Sequence, residues 1–258
     1  MKIVVLVKPV PDTYGERALS LETGLADRAA SETVLDEITE RALEAAIKHA
    51  ESTEGVEVVA LTMAPGDAQA SLRKALAMGA ASAVHVADER LAGADYVRTA
   101  EVLAAALRRM GFDLIVTGNG STDGTGGVIP AMLAELLELP LATRLETMEI
   151  TADAVRGTRA TDGGAMTVAA PLPAIVSVTE TFPDPRFPAL RGIMGAKKKP
   201  LEVLTLDDLE VDADETAAPR SIMTAVAQRP PRAAGEIITD EGDAAERIVA
   251  FLADRRLV

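Results

Sequence analysis

The sequence predicts a doubly wound α/β fold on a mostly parallel sheet, and three observations carry that prediction. Short apolar runs rich in β-branched residues alternate with longer amphipathic stretches through the first half of the 258-residue chain. Those runs lack a period-two alternation, as strands covered on both faces must. A glycine-rich segment lies directly between one such run and the amphipathic stretch after it, the position at which open α/β sheets place a ligand crevice.

The first strand spans 2–8, around Ile3-Val4-Val5-Leu6-Val7. A helix over 32–51 follows, with Leu35, Ile38, Ala42 and Ala45 at three- and four-residue steps on one face and Glu37, Glu40, Glu44 and Lys48 elsewhere. A strand at 56–63 and a helix at 67–78 come next, then a short strand near 83–87 and a helix at 95–110. The run Asp113-Leu114-Ile115-Val116-Thr117 and a helix at 128–138 complete four βα units, whose crossovers are expected to be right-handed. Asp67 and Asp95 read as N-caps, and Gly79 and Gly111 as C-terminal stops.

After Pro140 the texture changes to alternating segments at 143–150, 154–160 and 165–169, separated by Thr151-Ala152-Asp153 and Asp162-Gly163-Gly164, which predicts an antiparallel meander. Ala174-Ile175-Val176-Ser177-Val178 returns as a buried strand, so the sheet is expected to grow by mixed addition. From 212 onward Ala, Pro, Asp, Glu and Arg dominate, and such a tail cannot build its own core. It is either a floppy terminus or an arm that packs on another chain, with Ile222, Met223, Ile237, Ile248 and Phe251 to bury.

Composition excludes several function classes. Twenty-six Lys and Arg against 40 Asp and Glu give a formal charge of −14, which repels nucleic-acid backbones and anionic membrane surfaces. The absence of cysteine removes disulfides, thiolate metal sites and iron–sulfur ligation. His49 and His85 lack metal-ligand spacing and read as structural. Met1-Lys2 leads straight into a strand pattern without a signal-type region, and no apolar run approaches the ~18 residues of a membrane span, so a cytoplasmic chain is expected. The acidic pairs Asp36-Glu37 and Asp207-Asp208 read as caps or solvated faces, and Ser121 has no histidine in a predictable relation to it, which describes a binder and carrier more than a catalyst.

Two segments remain as candidate sites. Gly118-Asn119-Gly120-Ser121-Thr122-Asp123-Gly124-Thr125-Gly126-Gly127 joins a strand end to a helix start. Its glycines allow close backbone approach to a phosphate, its hydroxyls can donate, and the helix presents free amides. No Gly-Lys-Ser/Thr follows, so it is not a Walker loop. The strand ends at Leu6-Val7-Lys8-Pro9 and Thr62-Met63-Ala64-Pro65 face the same crevice, and backbone groups of Val7 and Met63 could bond an adenine edge. The second segment, 183–200, holds five cations and no acids between 185 and 200, with Leu190, Ile193 and Met194 in a Pro/Gly-bounded loop. That pattern suits either docking of an acidic partner around an apolar anchor or a lysine run that is simply solvated.

Together these stretches resemble the small β subunit of electron-transfer flavoproteins along nearly the whole chain. The resemblance rests on Val5-Leu6-Val7-Lys8-Pro9-Val10-Pro11-Asp12, on Leu35-Asp36-Glu37-Ile38-Thr39-Glu40-Arg41-Ala42-Leu43-Glu44-Ala45-Ala46, and on Leu72-Arg73-Lys74-Ala75-Leu76-Ala77-Met78-Gly79-Ala80. Above all it rests on Pro185-Arg186-Phe187 through Gly192-Ile193-Met194-Gly195-Ala196-Lys197-Lys198-Lys199.

The resemblance implies a fold similar to the adenine-nucleotide α-hydrolases and the Rossmann group. It implies a heterodimer whose α subunit holds most of a redox-active FAD, while this chain binds AMP structurally. It implies nucleotide contacts from Leu6, Val7, Asp36, Met63 and the stretch Gly120, Ser121, Thr122, Asp123, Gly124, Thr125, Gly126, Gly127 and Val128. A carboxylate repels phosphate, so Asp36 is placed by the ribose or base. The resemblance also implies a recognition loop at 183–200, with Leu190, Arg191, Ile193, Met194, Lys197 and Lys198 docking acyl-CoA dehydrogenases, and delivery of electrons to a quinone oxidoreductase at a membrane this chain does not enter. The nucleotide-binding domain is then 1–211, and 212–258 an arm that wraps the α subunit. Two alternatives share the cleft: an electron-bifurcating complex with a second FAD in the AMP site, and a stand-alone ATP-binding enzyme, which would need a Ser-Gly-Gly-rich loop where Lys8-Pro9-Val10-Pro11 stands.

Overall fold

The structure, a computed structural model, describes residues 1–258 except Glu16, 213–220, Ala233, Glu236 and Ile238. In chain order, β1 (Lys2–Leu6) runs into an antiparallel ribbon of β2 (Pro9–Pro11) and β3 (Thr33–Leu35). α1 (Glu37–Ser52), β4 (Glu57–Met63), α2 (Gln69–Met78), β5 (Ser82–Val86), α3 (Tyr96–Met110), β6 (Leu114–Gly118) and α4 (Ile129–Leu137) follow. The chain continues through β7 (Leu141–Leu145), β8 (Thr147–Ile150), β9 (Ala154–Thr161), β10 (Gly164–Pro171), β11 (Ala174–Val178), α5 (Leu190–Ala196), β12 (Leu201–Leu204) and α6 (Ala244–Asp254).

Seven strands form one parallel sheet in the order β12-β5-β4-β1-β6-β11-β7. Successive side chains of β1 point to opposite faces. Ile3 and Val5 pack with Leu43 of α1 and Leu72 of α2, whereas Val4 and Leu6 pack with Leu103 and Leu107 of α3 and Leu133 of α4. Both faces are therefore apolar, which is why the runs read as continuous. The chain builds outward from β1 through β4 and β5, then crosses to β6 on the other side. The carboxyl ends of β1 and β6 thus flank the point where the winding reverses, the place at which such sheets open a crevice.

The structure departs from the sequence expectations in several places. The sheet does not grow by mixed addition: β7 and β11 both join it in parallel, and β8, β9 and β10 form a separate antiparallel sheet. The reason is geometric, because parallel neighbours need a long return connection, and the meander serves as that crossover between β7 and β11. The helix expected from 32 starts at Glu37, since Thr33-Val34-Leu35 pairs with Pro9-Val10-Pro11. Its buried apolar face is consequently Ala42, Leu43, Ala46 and Ile47. Asp67 sits in a short 3-10 turn over Gly66–Ala68 without a capping bond, whereas Asp95 does cap α3 by accepting from the Arg98 amide. Gly79 and Gly111 end α2 and α3 as expected.

The chain divides into two units, Met1–Thr224 and Ala225–Val258. Within the first unit the Ser221 amide donates to the Asp95 carboxylate at 2.8 Å and Met223 lies against Gly24. The expected arm falls partly outside the described residues, at 213–220, Ala233, Glu236 and Ile238. In the second unit α6 has no buried residue, and Ile237, Ile248, Val249 and Phe251 are exposed. Among the described residues no helix is long and apolar enough to cross a membrane.

Candidate functional site

The glycine loop leaves the carboxyl end of β6 and is pinned at its start by the Asn119 amide, which donates to the Val178 carbonyl of β11 at 2.8 Å. Farther on, the Thr125 amide donates to the Ser121 carbonyl at 2.8 Å, turning the chain back with Thr125 at φ 52 and Gly127 at φ 65. A Cβ at Gly127 would lie 3.1 Å from the Asn119 carbonyl oxygen, so this close return needs glycine on both counts. The exposed amides of Gly126, Gly127 and Val128, just ahead of α4, have no acceptor among the described residues. They form the free donor set an anion uses at a helix start. Tyr96, the first residue of α3, holds the loop from its side by donating to the Gly124 carbonyl at 3.1 Å.

Asp36 is fully buried and lies behind the loop. One carboxylate oxygen accepts from the Ile38 and Thr39 amides, capping α1. The other accepts from the Thr122 amide and hydroxyl, both at 2.8 Å. Four internal donors satisfy the carboxylate, which resolves the electrostatic difficulty of an acid at a phosphate loop. Asp36 presents its charge to the loop's rear and shapes it from there.

Three cations that the sequence did not single out converge on the front of the loop. Lys8 Nζ donates to Asp123 Oδ1 at 2.8 Å and to Ser121 Oγ at 3.1 Å. Arg28 lies 3.7 Å from the other oxygen of Asp123, and Arg17 donates to the Thr122 carbonyl at 2.7 Å. Burial alone would push the pKa of Asp123 up, but the hydrogen bonds from Lys8 and Ser121 outweigh it and hold the group below the usual carboxylate range. Lys8 lies in the Val5–Asp12 stretch that shares the family resemblance. Arg17 and Arg28 come from the 12–32 excursion, which has no periodicity to mark it.

Leu6 and Val7 are buried and Met63 half-buried at the crevice end of the sheet. The Val7 amide donates to the Leu61 carbonyl at 2.9 Å, so the sheet has already taken that donor and it cannot bond an adenine edge. The side-chain oxygen of Asn119 is buried and accepts from no group among the described residues, leaving an unused acceptor where β6 ends. Free amides, a cationic front and this acceptor together fit a nucleotide monophosphate.

The second candidate segment, expected as a loop, contains the helix α5. Gly192 makes this possible: a Cβ there would fall 2.4 Å from the Ala77 carbonyl of α2, so only glycine lets the two helices approach. Arg186 ties the segment to α1 through Glu44 (2.8 Å from Nε) and Glu51 (2.5 Å from Nη1). Arg41 binds Asp184 and the Phe182 carbonyl, and Lys199 donates to the Leu76 and Ala80 carbonyls at the end of α2. Of the five cations, Arg186 and Lys199 thus hold the segment down. Arg191, Lys197 and Lys198 remain exposed beside Leu190, Ile193 and Met194. Phe187, not among the residues expected to dock, is 97% exposed against 73% for Leu190.

Comparison with known proteins bears on both segments. A family model described as the electron transfer flavoprotein domain matches residues 23–209. An electron transfer flavoprotein subunit beta from Mycobacterium leprae is 45% identical over 263 residues, covering 99% of each chain. The chain belongs to the β-subunit family of electron transfer flavoproteins. A family member from Bacillus subtilis is 34% identical over 98% of this chain and 97% of its own. The caffeyl-CoA reductase-Etf complex subunit CarD of Acetobacterium woodii is 28% identical over the full length of both. The family is one of flavoproteins, and a β subunit implies an α subunit as its partner.

Proposed function

We propose that this chain is the docking and nucleotide-holding half of a heterodimeric electron carrier that draws electrons from acyl-CoA dehydrogenases and related flavoproteins and passes them to a quinone oxidoreductase. The observation that carries this reading is the rigidly anchored, exposed surface of Phe187, Leu190, Ile193 and Met194, with Arg191, Lys197 and Lys198 on a chain of net charge −14. An apolar anchor inside a local inversion of charge orients an acidic partner and then holds it. The chain itself supplies recognition and is not a catalyst. FAD, held mainly by the α subunit, supplies the redox chemistry of the complex when bound.

AMP is the ligand this reading places in the crevice. The amides of Gly126, Gly127 and Val128 and the ammonium of Lys8 would hold its phosphate, and Leu6, Val7 and Met63 would line the adenine side. The exposed apolar groups of α6 would bury against the α subunit. The setting is the bacterial cytoplasm and fatty-acid β-oxidation.

Leu190→Ala in the complex is expected to slow electron transfer from the dehydrogenase while leaving the heterodimer intact. Unchanged kinetics would remove this surface from the mechanism. A second reading, a bifurcating complex with FAD in the crevice, draws on the similarity to the CarD subunit. Denaturing the purified complex and quantifying its nucleotides separates them: equal FAD and AMP support the first reading, and FAD in about twofold excess over the heterodimer without AMP supports the second.

A further inference from the structure

We propose that Asp123, latched by Lys8, sets the number of phosphate groups the crevice admits, favouring a nucleoside monophosphate over a diphosphate. The inference rests on the reading of the crevice as a nucleotide site and deepens it. Among the described residues five charged side chains act at the loop: Lys8, Arg17 and Arg28 from the β1 end and the excursion after it, Asp36 behind it, and Asp123 within it. Asp36 is directed to the rear, where four donors hold it.

Asp123 is different. Its side chain is only 12% exposed and sits on the cationic front, with Oδ1 accepting from Lys8 and from the Gly124 amide at 2.6 Å and Oδ2 facing Arg28. It therefore offsets charge that a ligand would otherwise use. Three cations against two carboxylates leave one net positive charge, and with the free amides of Gly126, Gly127 and Val128 this suits one phosphate monoester of about −1.5 to −2. A second phosphate adds charge with no further cation contacting the loop among the described residues, and the fixed carboxylate of Asp123 opposes it. The hydrogen bond from Lys8 keeps Asp123 ionised near neutral pH, so this opposition persists under ordinary conditions.

Asp123→Asn retains the size of the side chain and an oxygen to accept from Lys8 and Gly124, while removing the charge. Calorimetric titration of the nucleotide-stripped heterodimer with AMP and with ADP reads the effect. The wild type is expected to prefer AMP, and Asp123→Asn to reduce the AMP-over-ADP preference by about tenfold, the size of one partly screened charge interaction. If the wild type binds neither nucleotide, the nucleotide reading itself fails. If it binds AMP preferentially and Asp123→Asn leaves the ratio unchanged, that reading stands and the role of Asp123 is overturned, as it also is if the wild type prefers ADP. Arg28→Gln provides an independent arm that does not depend on the Asn variant folding. Removing a cation from the same carboxylate is expected to sharpen the preference for AMP severalfold, and an unchanged or weakened preference counts against the proposal.

Discussion

Asp36→Ala tests whether the glycine loop is held from behind. The carboxylate joins two elements that lie 86 residues apart, the start of α1 and Thr122. Loss of an N-cap oxygen costs about 1 kcal/mol. Hydrogen bonds to a charged acceptor contribute roughly 1.5–3 kcal/mol each, and because water can partly replace the acceptor at half-buried Thr122, the pair there is taken at about 2 kcal/mol. The variant should therefore lose about 3 kcal/mol in all, with about 2 of it local to the loop.

Amide hydrogen exchange on the assembled complex separates the two shares. A local loss of about 2 kcal/mol accelerates exchange at the Thr122 amide about 30-fold where exchange reports an opening equilibrium. Amides at the start of α1 should accelerate less, by about fivefold. Thr122→Ala leaves one of the two bonds and should fall between wild type and Asp36→Ala, and the double variant should be no worse than Asp36→Ala by more than a few tenths of a kcal/mol. Acceleration below threefold at Thr122, or fully additive losses in the double variant, would refute the clamp and leave Asp36 as a helix cap alone.

Arg186→Ala removes the guanidinium from Glu44, whose side chain is 3% exposed, and leaves it the residue-186 backbone amide at 3.3 Å and the more distant Lys48 at 3.4 Å. The loss should be about 2 kcal/mol in urea unfolding, with new protease cleavage within 183–200, whereas Glu51→Gln, at an exposed partner, should cost under about 1 kcal/mol. In acid, Asp88 should matter most, because the hydrogen bonds from Arg90 hold its carboxyl well below the usual range and the Leu206 amide adds to them. Its folded value lies below the unfolded value of about 3.9, so its contribution is complete above about pH 5 and is lost as pH falls through the folded value. Thermal midpoints of wild type and Asp88→Asn should accordingly differ most above about pH 5, begin to close only below about pH 4, and converge as pH falls toward the folded value; a gap that stays constant with pH excludes this linkage.

Much of the fold was legible because its signals are local. The continuous apolar runs around Ile3–Val7 and Leu114–Thr117 require strands covered on both faces, and both proved central in the parallel sheet. The excursion between β1 and α1 was misread because Thr33-Val34-Leu35 continues a helical spacing in sequence, while its pairing with Pro9-Val10-Pro11 is a contact across more than twenty residues. Mixed addition failed for a similar reason. The alternation in 143–169 identifies antiparallel strands without saying which sheet they join.

The candidate site shows the same boundary. By itself the sequence determined that a glycine loop follows a buried strand, that an unusually cationic segment follows Pro183, and that the chain belongs with the β subunits it resembles, because these are properties of residue order. Only the tertiary structure decided that Lys8 reaches Asp123 across 115 residues, that Asp36 turns toward Thr122, and that Arg186 is consumed by Glu44 across 142 residues while Arg191, Lys197 and Lys198 stay free. A charge acquires its role from the partner it meets. Those partners are chosen by the winding of the sheet, which brings distant strand ends to one crevice and presses α5 onto α2.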